Sequence, residues 1–176
     1  MPTMPQIIVL LALKKEIADI FAIARVAGKK VTVRHERHRD AEQAVWPSVS
    51  IAYVSHDPSQ EYGRQENDGG LPEEVWALSV NVVIDADLPP EATDEGDADL
   101  DPTGYGTHAA IMSLIIDRLF PDGDENTIGG TTWQIRYDGS ADNESDATPD
   151  NARVEERLTL LYRVRADRPN ILLMGN

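Results

Sequence analysis

The chain has 176 residues, of which 41% are hydrophobic, a length and composition typical of one domain with its own core. It carries 31 Asp and Glu against 16 Lys and Arg, so its net charge is −15. That balance excludes a protein whose main task is to hold nucleic acid, and it argues against docking on anionic lipid. The absence of cysteine excludes disulfides, thiolate metal sites and a cysteine nucleophile.

The charge is unevenly distributed along the chain. Residues 1–40 hold eight basic and four acidic residues, a net charge of +4, which leaves −19 for the remainder. The acids concentrate at 85–101, with eight acids, and at 138–150, with five. Neither segment has apolar periodicity, so we expect two long, solvated acidic loops. Four lysines among so many acids form a surface typical of proteins from very salty surroundings.

The first predicted element is a helix over Pro5–Ala27, which Gly28 ends. Its apolar residues at steps of three and four are Leu10, Leu13, Ile17, Ile20, Phe21 and Ala24. The continuous apolar run Ile7–Leu13 is too short to span a bilayer. Lys14 follows this run without a cleavage site, so we expect neither a membrane anchor nor a signal peptide.

Three strands are predicted next, over Lys30–His35, over the alternating residues Val49–Val54 after Pro47, and over Glu74–Asp85. In the longest, the even-numbered residues from Trp76 to Ile84 form one apolar side. The other side mixes polar and apolar residues, which indicates a sheet face that is only partly covered.

The second predicted helix spans Thr107–Phe120 and is apolar around most of its circumference. A narrow polar strip remains at Ser113, Asp117 and Arg118. Such a helix needs cover on two sides. The sheet can provide one cover, and a neighbouring subunit could provide the other.

Two alternating strands, Thr132–Tyr137 and Arg157–Arg165, close the fold around the acidic hairpin loop 138–150. We interpret residues 1–166 as one domain and residues 167–176 as a C-terminal tail. The apolar tail segment Ile171–Met174 either packs on its own domain or docks on a partner. The order of elements predicts an α+β fold: a mixed, mostly antiparallel sheet packed against two main helices, with long acidic loops.

The sequence holds no motif of a known catalytic class: GxSxG, a Walker loop, GxGxxG after a strand and HExxH are all missing. His35 and His38 are spaced for a metal, but the arginines around them disfavour a cation. The segment Asp122–Asn126 begins like a calcium loop, yet Thr127 and Trp133 stand where Gly and Glu are required. We therefore expect neither an enzyme nor a cofactor or metal site.

The order of elements resembles the tail-terminator, or tail-completion, proteins of long-tailed viruses. The resemblance covers nearly the whole chain. Besides the N-terminal helix and the apolar helix 107–120, it rests on the strands Val49–Tyr53, Val75–Ile84, Trp133–Asp138 and Arg157–Val164. The closing strands look most similar. The longer acidic insertions at 85–101 and 138–150 and the C-terminal tail depart from the family pattern.

The resemblance implies a structural virion protein that is assembled in the host cytoplasm and located in the tail or neck. Such proteins form a hexameric ring on the end of the tail tube, stop its polymerisation and present a surface to the head–tail connector. The implied partners are copies of the same chain, the tail tube protein and the connector. DNA passes through the channel without specific binding, and we expect part of the acidic surface to line that channel.

Candidate contact residues come from the closing strands and the tail. We expect Arg136, Arg157, Arg163 and Arg165 to share the sheet face opposite the core, where they could pair with acids of an adjacent subunit. The tail residues Ile171, Leu172, Leu173 and Met174 form the second candidate contact. The alternative functions are another neck component, such as a head–tail connector or joining protein, an acidic soluble binding module, and a small hydrolase or metal-binding enzyme.

Overall fold

The computed structural model describes residues 4–26, 28–34, 47–62, 64–66, 72–87, 106–121, 127–141 and 151–174. Over these ranges the chain forms two helices and nine strands. The helices are α1 (Pro5–Ile23) and α2 (Gly106–Leu119). The strands are β1 (Arg25–Val26), β2 (Lys29–Lys30), β3 (Thr32–Val33), β4 (Ser48–Pro58), β5 (Arg64–Glu66), β6 (Pro72–Asp87), β7 (Gln134–Ala141), β8 (Asn151–Arg165) and β9 (Arg168–Leu173).

The main sheet has the strand order β3-β4-β6-β8-β7, with β5 paired to β6 and β9 paired to β8. The β3–β4 pair is parallel and the other pairs of this sheet are antiparallel. This arrangement confirms the predicted α+β fold. The two predicted acidic loops lie outside the described residues except at their ends, where residues 85–87 belong to β6 and residues 138–141 belong to β7.

The long strands β6 and β8 form the centre of the sheet, paired from Glu73–Arg165 to Asp87–Asn151. The strand β8 occupies one edge of β6. The strands β4 and β5 must therefore lie one after the other along the opposite edge. By the same argument β7 and β9 lie in line along the outer edge of β8. The described residues 59–62 lie between β4 and β5 and interrupt what would otherwise be one continuous strand along that edge of β6.

The core lies between the helices and one face of this sheet. Alternate residues of β6, from Leu78 to Ile84, and of β8, from Leu158 to Val164, pack there with both helices. Alternation explains the arrangement, since every second side chain of a strand points to the same face. The buried row of α1 repeats at every fourth residue: Pro5, Val9, Leu13, Ile17 and Phe21.

The first helix is shorter than predicted. It ends at Ile23, and Ala24 already has extended backbone angles. Gly28 does not cap the helix. It has a φ of 74° and lies in the turn between β1 and β2, where Val26 pairs with Lys29. A residue without Cβ adopts this left-handed conformation at little cost.

The second cover of α2 comes from the same chain. The helix packs against β6 and also against α1, in the place where the sequence suggested a neighbouring subunit. Its buried residues include Ile111, Ile115 and Leu119. The neighbouring subunit was one possible source of this cover, and whether α2 also contacts a partner stays a prediction.

The face of the sheet away from the helices, here called the outer face, is more covered than the sequence indicated. On β6 it carries Val75, Asn81, Val83 and Asp85, all at most 8% exposed. Across from them, β8 presents Leu161, which is 2% exposed, among polar neighbours. Part of the outer face is therefore buried as well, in addition to the core between the helices and the other face.

Candidate functional site

Two of the four candidate arginines belong to a stacked cluster on the outer face. The described residues 59–62 follow β4 and bring Tyr62 to β7, where its ring meets Trp133 edge-on, with 4.7 Å between centroids. The Arg136 guanidinium lies 5.5 Å from the centre of the Tyr62 ring, and that of Arg163 lies 4.7 Å from the Trp133 ring. In the order Arg136–Tyr62–Trp133–Arg163, two aromatic rings lie between two cations, and each guanidinium is attracted to the face of the ring beside it.

Each end of this cluster carries a carboxylate. Arg136 donates to Glu61 and to the hydroxyl of Tyr62, the latter at 3.0 Å. The hydrogen bond from Arg136 lowers the pKa of Glu61, and Glu61 in turn raises the pKa of Arg136. Arg163 lies 3.7 Å from the carboxylate of Glu73. Both arginines therefore have acidic partners within their own chain.

The other two candidate arginines also contact their own chain. Arg165 forms a two-point ion pair with Asp167, at 3.0 and 2.7 Å. Arg157 donates to the side chain of Asn81 at 3.3 Å and is otherwise exposed. Among the described contacts, Arg157 is the one candidate arginine of the four without an ion pair. Their role at a subunit interface stays a prediction.

The tail forms the edge of the sheet. β9 pairs with the end of β8 in the register Val164–Leu172. Leu172 packs against the core, and Ile171 and Leu173 are half-buried. Met174 is 58% exposed. Of the two alternatives for the tail, packing on its own domain therefore describes Ile171–Leu173, whereas Arg168–Asn170 are exposed and Met174 remains available to a partner.

Polar pairs run along the rest of the outer face. Arg153 donates to Asp85 at 2.8 Å, and Asn81 donates to Glu155 at 2.7 Å. Ser79 and Thr159 share a hydrogen bond of 3.3 Å. Asp85 and Arg153, like Ser79 and Thr159, are directly opposite each other, whereas Asn81 reaches Glu155 diagonally. Such contacts join β6 to β8 and stabilise the sheet.

A histidine–tyrosine pair lies on the helix side of the sheet. His56 shares a hydrogen bond with the hydroxyl of Tyr162, and its ring lies 4.6 Å from that of Trp76. Burial lowers the pKa of His56, and the charge of Asp57 opposes that shift. Burial also raises the pKa of Tyr162. Both groups are therefore held neutral near pH 7, and the pair couples β4 to β8.

A small cavity of ≈ 260 Å³ lies where α1 and α2 meet the segment around Ile128. Glu16 and Arg118 line it and form an ion pair of 2.8 Å with each other. Within the described ranges, no group of three His, Asp or Glu is placed to hold a metal ion. His35, His38 and Asp122–Asn126 lie outside those ranges.

The sequence interpretation missed the exposed side of α1. Met4, Ile7 and Leu11 are 51%, 45% and 56% exposed, although the same helix buries a full apolar row. The other exposed large hydrophobic residues of the described chain are Ile23, Tyr53, Val54, Tyr137 and Met174. The signal was present in the apolar run Ile7–Leu13, whose length exceeds what one helix face can hold.

Neither helix in the described part of the chain is long and apolar enough to cross a membrane. Comparison with known protein families gave no matching family, and a search of curated proteins gave no matching relative.

Proposed function

We propose that this chain is a structural virion protein that forms a ring, caps the tail tube of a long-tailed virus, stops its polymerisation and joins it to the head connector. The sequence resemblance to tail terminators supports the identity of the assembly. The α+β fold with a mixed, mostly antiparallel sheet is compatible with it.

One observation carries the case for assembly: large hydrophobic side chains are exposed on several separate elements of a highly charged chain. Met4, Ile7 and Leu11 on α1, Tyr53 on β4 and Met174 after β9 are each at least 45% exposed. Apolar side chains gathered on a surface mark protein interaction sites more often than scattered ones do. A subunit that contacts neighbours on two sides and further components above and below requires several such surfaces.

The charge supports the passage of DNA. With a net charge of −15, a ring of these chains repels the phosphate backbone as a whole. We propose that part of the acidic surface lines the channel, so that DNA slides through without being held.

Assembly with the tail tube tests this proposal. The purified chain is weighed by mass photometry over a range of concentrations, and it is also added to tail tube protein during polymerisation. We expect a species of six chain masses and tubes that stop growing once the chain has bound to their ends. A chain that stays monomeric at every concentration and leaves tube length unchanged would contradict the proposed function.

A further inference from the structure

The helix α1 has two apolar sides, and its own domain covers one of them. On a helix of 3.6 residues per turn, Met4, Ile7, Leu11, Ala18 and Ala22 fall within about 60° of arc. All five are exposed. We call these five residues the α1 stripe. The buried row from Pro5 to Phe21 lies on the other side.

An apolar stripe facing solvent is unusual for a surface helix. Such a helix normally turns an apolar stripe to the core and polar residues to water. The helix α2 of the same chain follows this rule, since Ser113, Asp117 and Arg118 are among its exposed residues. The contrast identifies α1, and not α2, as the helix whose apolar surface the single chain leaves uncovered.

Charges beside the stripe indicate what covers it. Lys14 and Lys15 flank Leu11 on opposite sides of the stripe. Lys15 forms an exposed ion pair of 3.1 Å with Asp19 of the same helix, which solvent screens. Glu16 is paired with Arg118. Residues 1–40 carry a net charge of +4, so the stripe fits an apolar surface with an acidic rim. The chain beyond residue 40 carries −19, so a second copy offers such a rim, whereas anionic lipid repels a chain of net charge −15.

We propose that a neighbouring copy of this chain covers the α1 stripe in the ring, through a heterologous contact between the stripe and the acidic body of the next subunit. Pairing two identical stripes would place lysines against lysines, whereas pairing unlike surfaces matches the charges. Head-to-tail contacts between unlike surfaces are also those that close into rings. This inference rests on the proposed function, because it names the surface through which the ring forms.

The first test replaces the centre of the stripe. Ile7→Glu and Leu11→Glu place a carboxylate where we expect a desolvated contact, and each should raise the dissociation constant of the ring by about tenfold or more. The matched control is Ala110→Glu, at an exposed position of α2 outside the stripe. Mass photometry measures assembly, and a thermal melt of each variant reports folding.

A second test leaves the stripe nearly intact. Because the chain has no cysteine, Leu11→Cys introduces a single thiol whose reaction rate reports whether the stripe is covered. We expect the thiol to react much more slowly in the ring than at dilutions where the chain is monomeric. Asp117→Cys on α2 is the control and should react at the same rate in both states.

The outcomes separate the two proposals. Rings of unchanged stability in both Glu variants, or a thiol that reacts equally fast in ring and monomer, would overturn the inference and leave the proposed function standing. Equal weakening by Ala110→Glu would overturn it too. Protection that arises only after adding tail tube protein or anionic vesicles would assign the stripe to that partner instead. A wild-type chain that never forms rings would contradict the proposed function itself.

Discussion

The aromatic ring of Tyr62 should contribute more to the stability of the domain than its hydroxyl group. Tyr62→Ala removes an edge-on contact with Trp133 and the cation–π contact with Arg136, together with the hydrogen bond that Arg136 donates. An aromatic pair contributes about 0.5–1.5 kcal/mol, an exposed cation–π contact about 0.5–1 and a hydrogen bond about 0.5–1.5. We therefore expect Tyr62→Ala to lower the free energy of unfolding by about 1.5–4 kcal/mol.

The conservative variant separates ring from hydroxyl. Tyr62→Phe keeps both ring contacts and loses the hydrogen bonds with Arg136 and Gln134, so we expect a loss of about 0.5–1.5 kcal/mol. Urea unfolding measures both variants. For a domain of this size, the Tyr62→Ala loss corresponds to about 3–16 °C in melting temperature.

Two results would refute this reasoning. Equal losses for Tyr62→Ala and Tyr62→Phe would show that the ring contacts contribute nothing. Losses near zero for both would show that residues 59–62 are not held against β7. Tyr53→Ala is the control, since Tyr53 is 52% exposed, and it should stay within about 1 kcal/mol of the wild type. The ion pair of Arg136 with the exposed Glu61 should matter little, because solvent and salt screen it.

Three further predictions follow from the core, the histidine and the arginines. Leu13 is fully buried, so Leu13→Ala should lower the free energy of unfolding by about 2–5 kcal/mol in urea titrations, and a smaller loss would contradict tight packing of α1. Because burial lowers the pKa of His56 in the folded chain, unfolding takes up a proton below the ordinary value of 6.5, and stability should fall as the pH drops through that region. The variant His56→Gln should lose that part of the pH dependence when urea midpoints at about pH 7.5 and pH 5.5 are compared; an unchanged dependence would exclude His56 as its source. If the exposed Arg157 lies at a subunit interface, Arg157→Glu should weaken the ring in mass photometry, and rings of unchanged stability would remove it from that interface.

The regular elements could be predicted because each shows one clear period. Alternation in β6 and β8 separates a core face from an outer face, and α2 shows the spacing of a buried helix. The extension of β4 to Pro58 was missed because His56 and Asp57 are polar. The short strand β5 and the edge strand β9 carry no pattern of their own and are held by their neighbours β6 and β8.

The contacts across the outer face could not be predicted, because they depend on distance in the fold and not on spacing in the chain. Tyr62 and Gln134 are 72 residues apart, yet their side chains share a hydrogen bond. Alternation along β7 and β8 places Arg136 and Arg163 on that face. Their partners Glu61 and Glu73 lie just before β5 and near the start of β6, outside the strands that alternation predicted.

The exposed side of α1 was missed for a different reason. When a helix is apolar on two sides, periodicity shows that apolar rows exist but does not tell which row the domain buries. The sequence resolved this by assigning Leu10 and Leu13 to one face, whereas the structure buries Leu13 fully, half-buries Leu10 and exposes Leu11. Only the packing of α1 against the sheet decides between the rows.

Salt can distinguish the two kinds of contact that have been proposed for the ring. Each subunit carries −15, so subunits repel one another, and added salt screens that repulsion over distances beyond a Debye length of about 8 Å at physiological ionic strength. If the α1 stripe provides most of the contact, assembly should strengthen as sodium chloride rises, because burial of Ile7 and Leu11 does not depend on screening. The attraction of the two flanking lysines to an acidic rim does weaken with salt, but it is small beside the repulsion between chains that each carry −15. If ion pairs of Arg157 and the neighbouring arginines provide most of the contact, assembly should weaken as salt screens those pairs. We expect strengthening, since Arg136, Arg163 and Arg165 already have acidic partners within their own chain. A dissociation constant that increases steadily with salt in mass photometry would refute the primacy of the stripe and favour the arginine face.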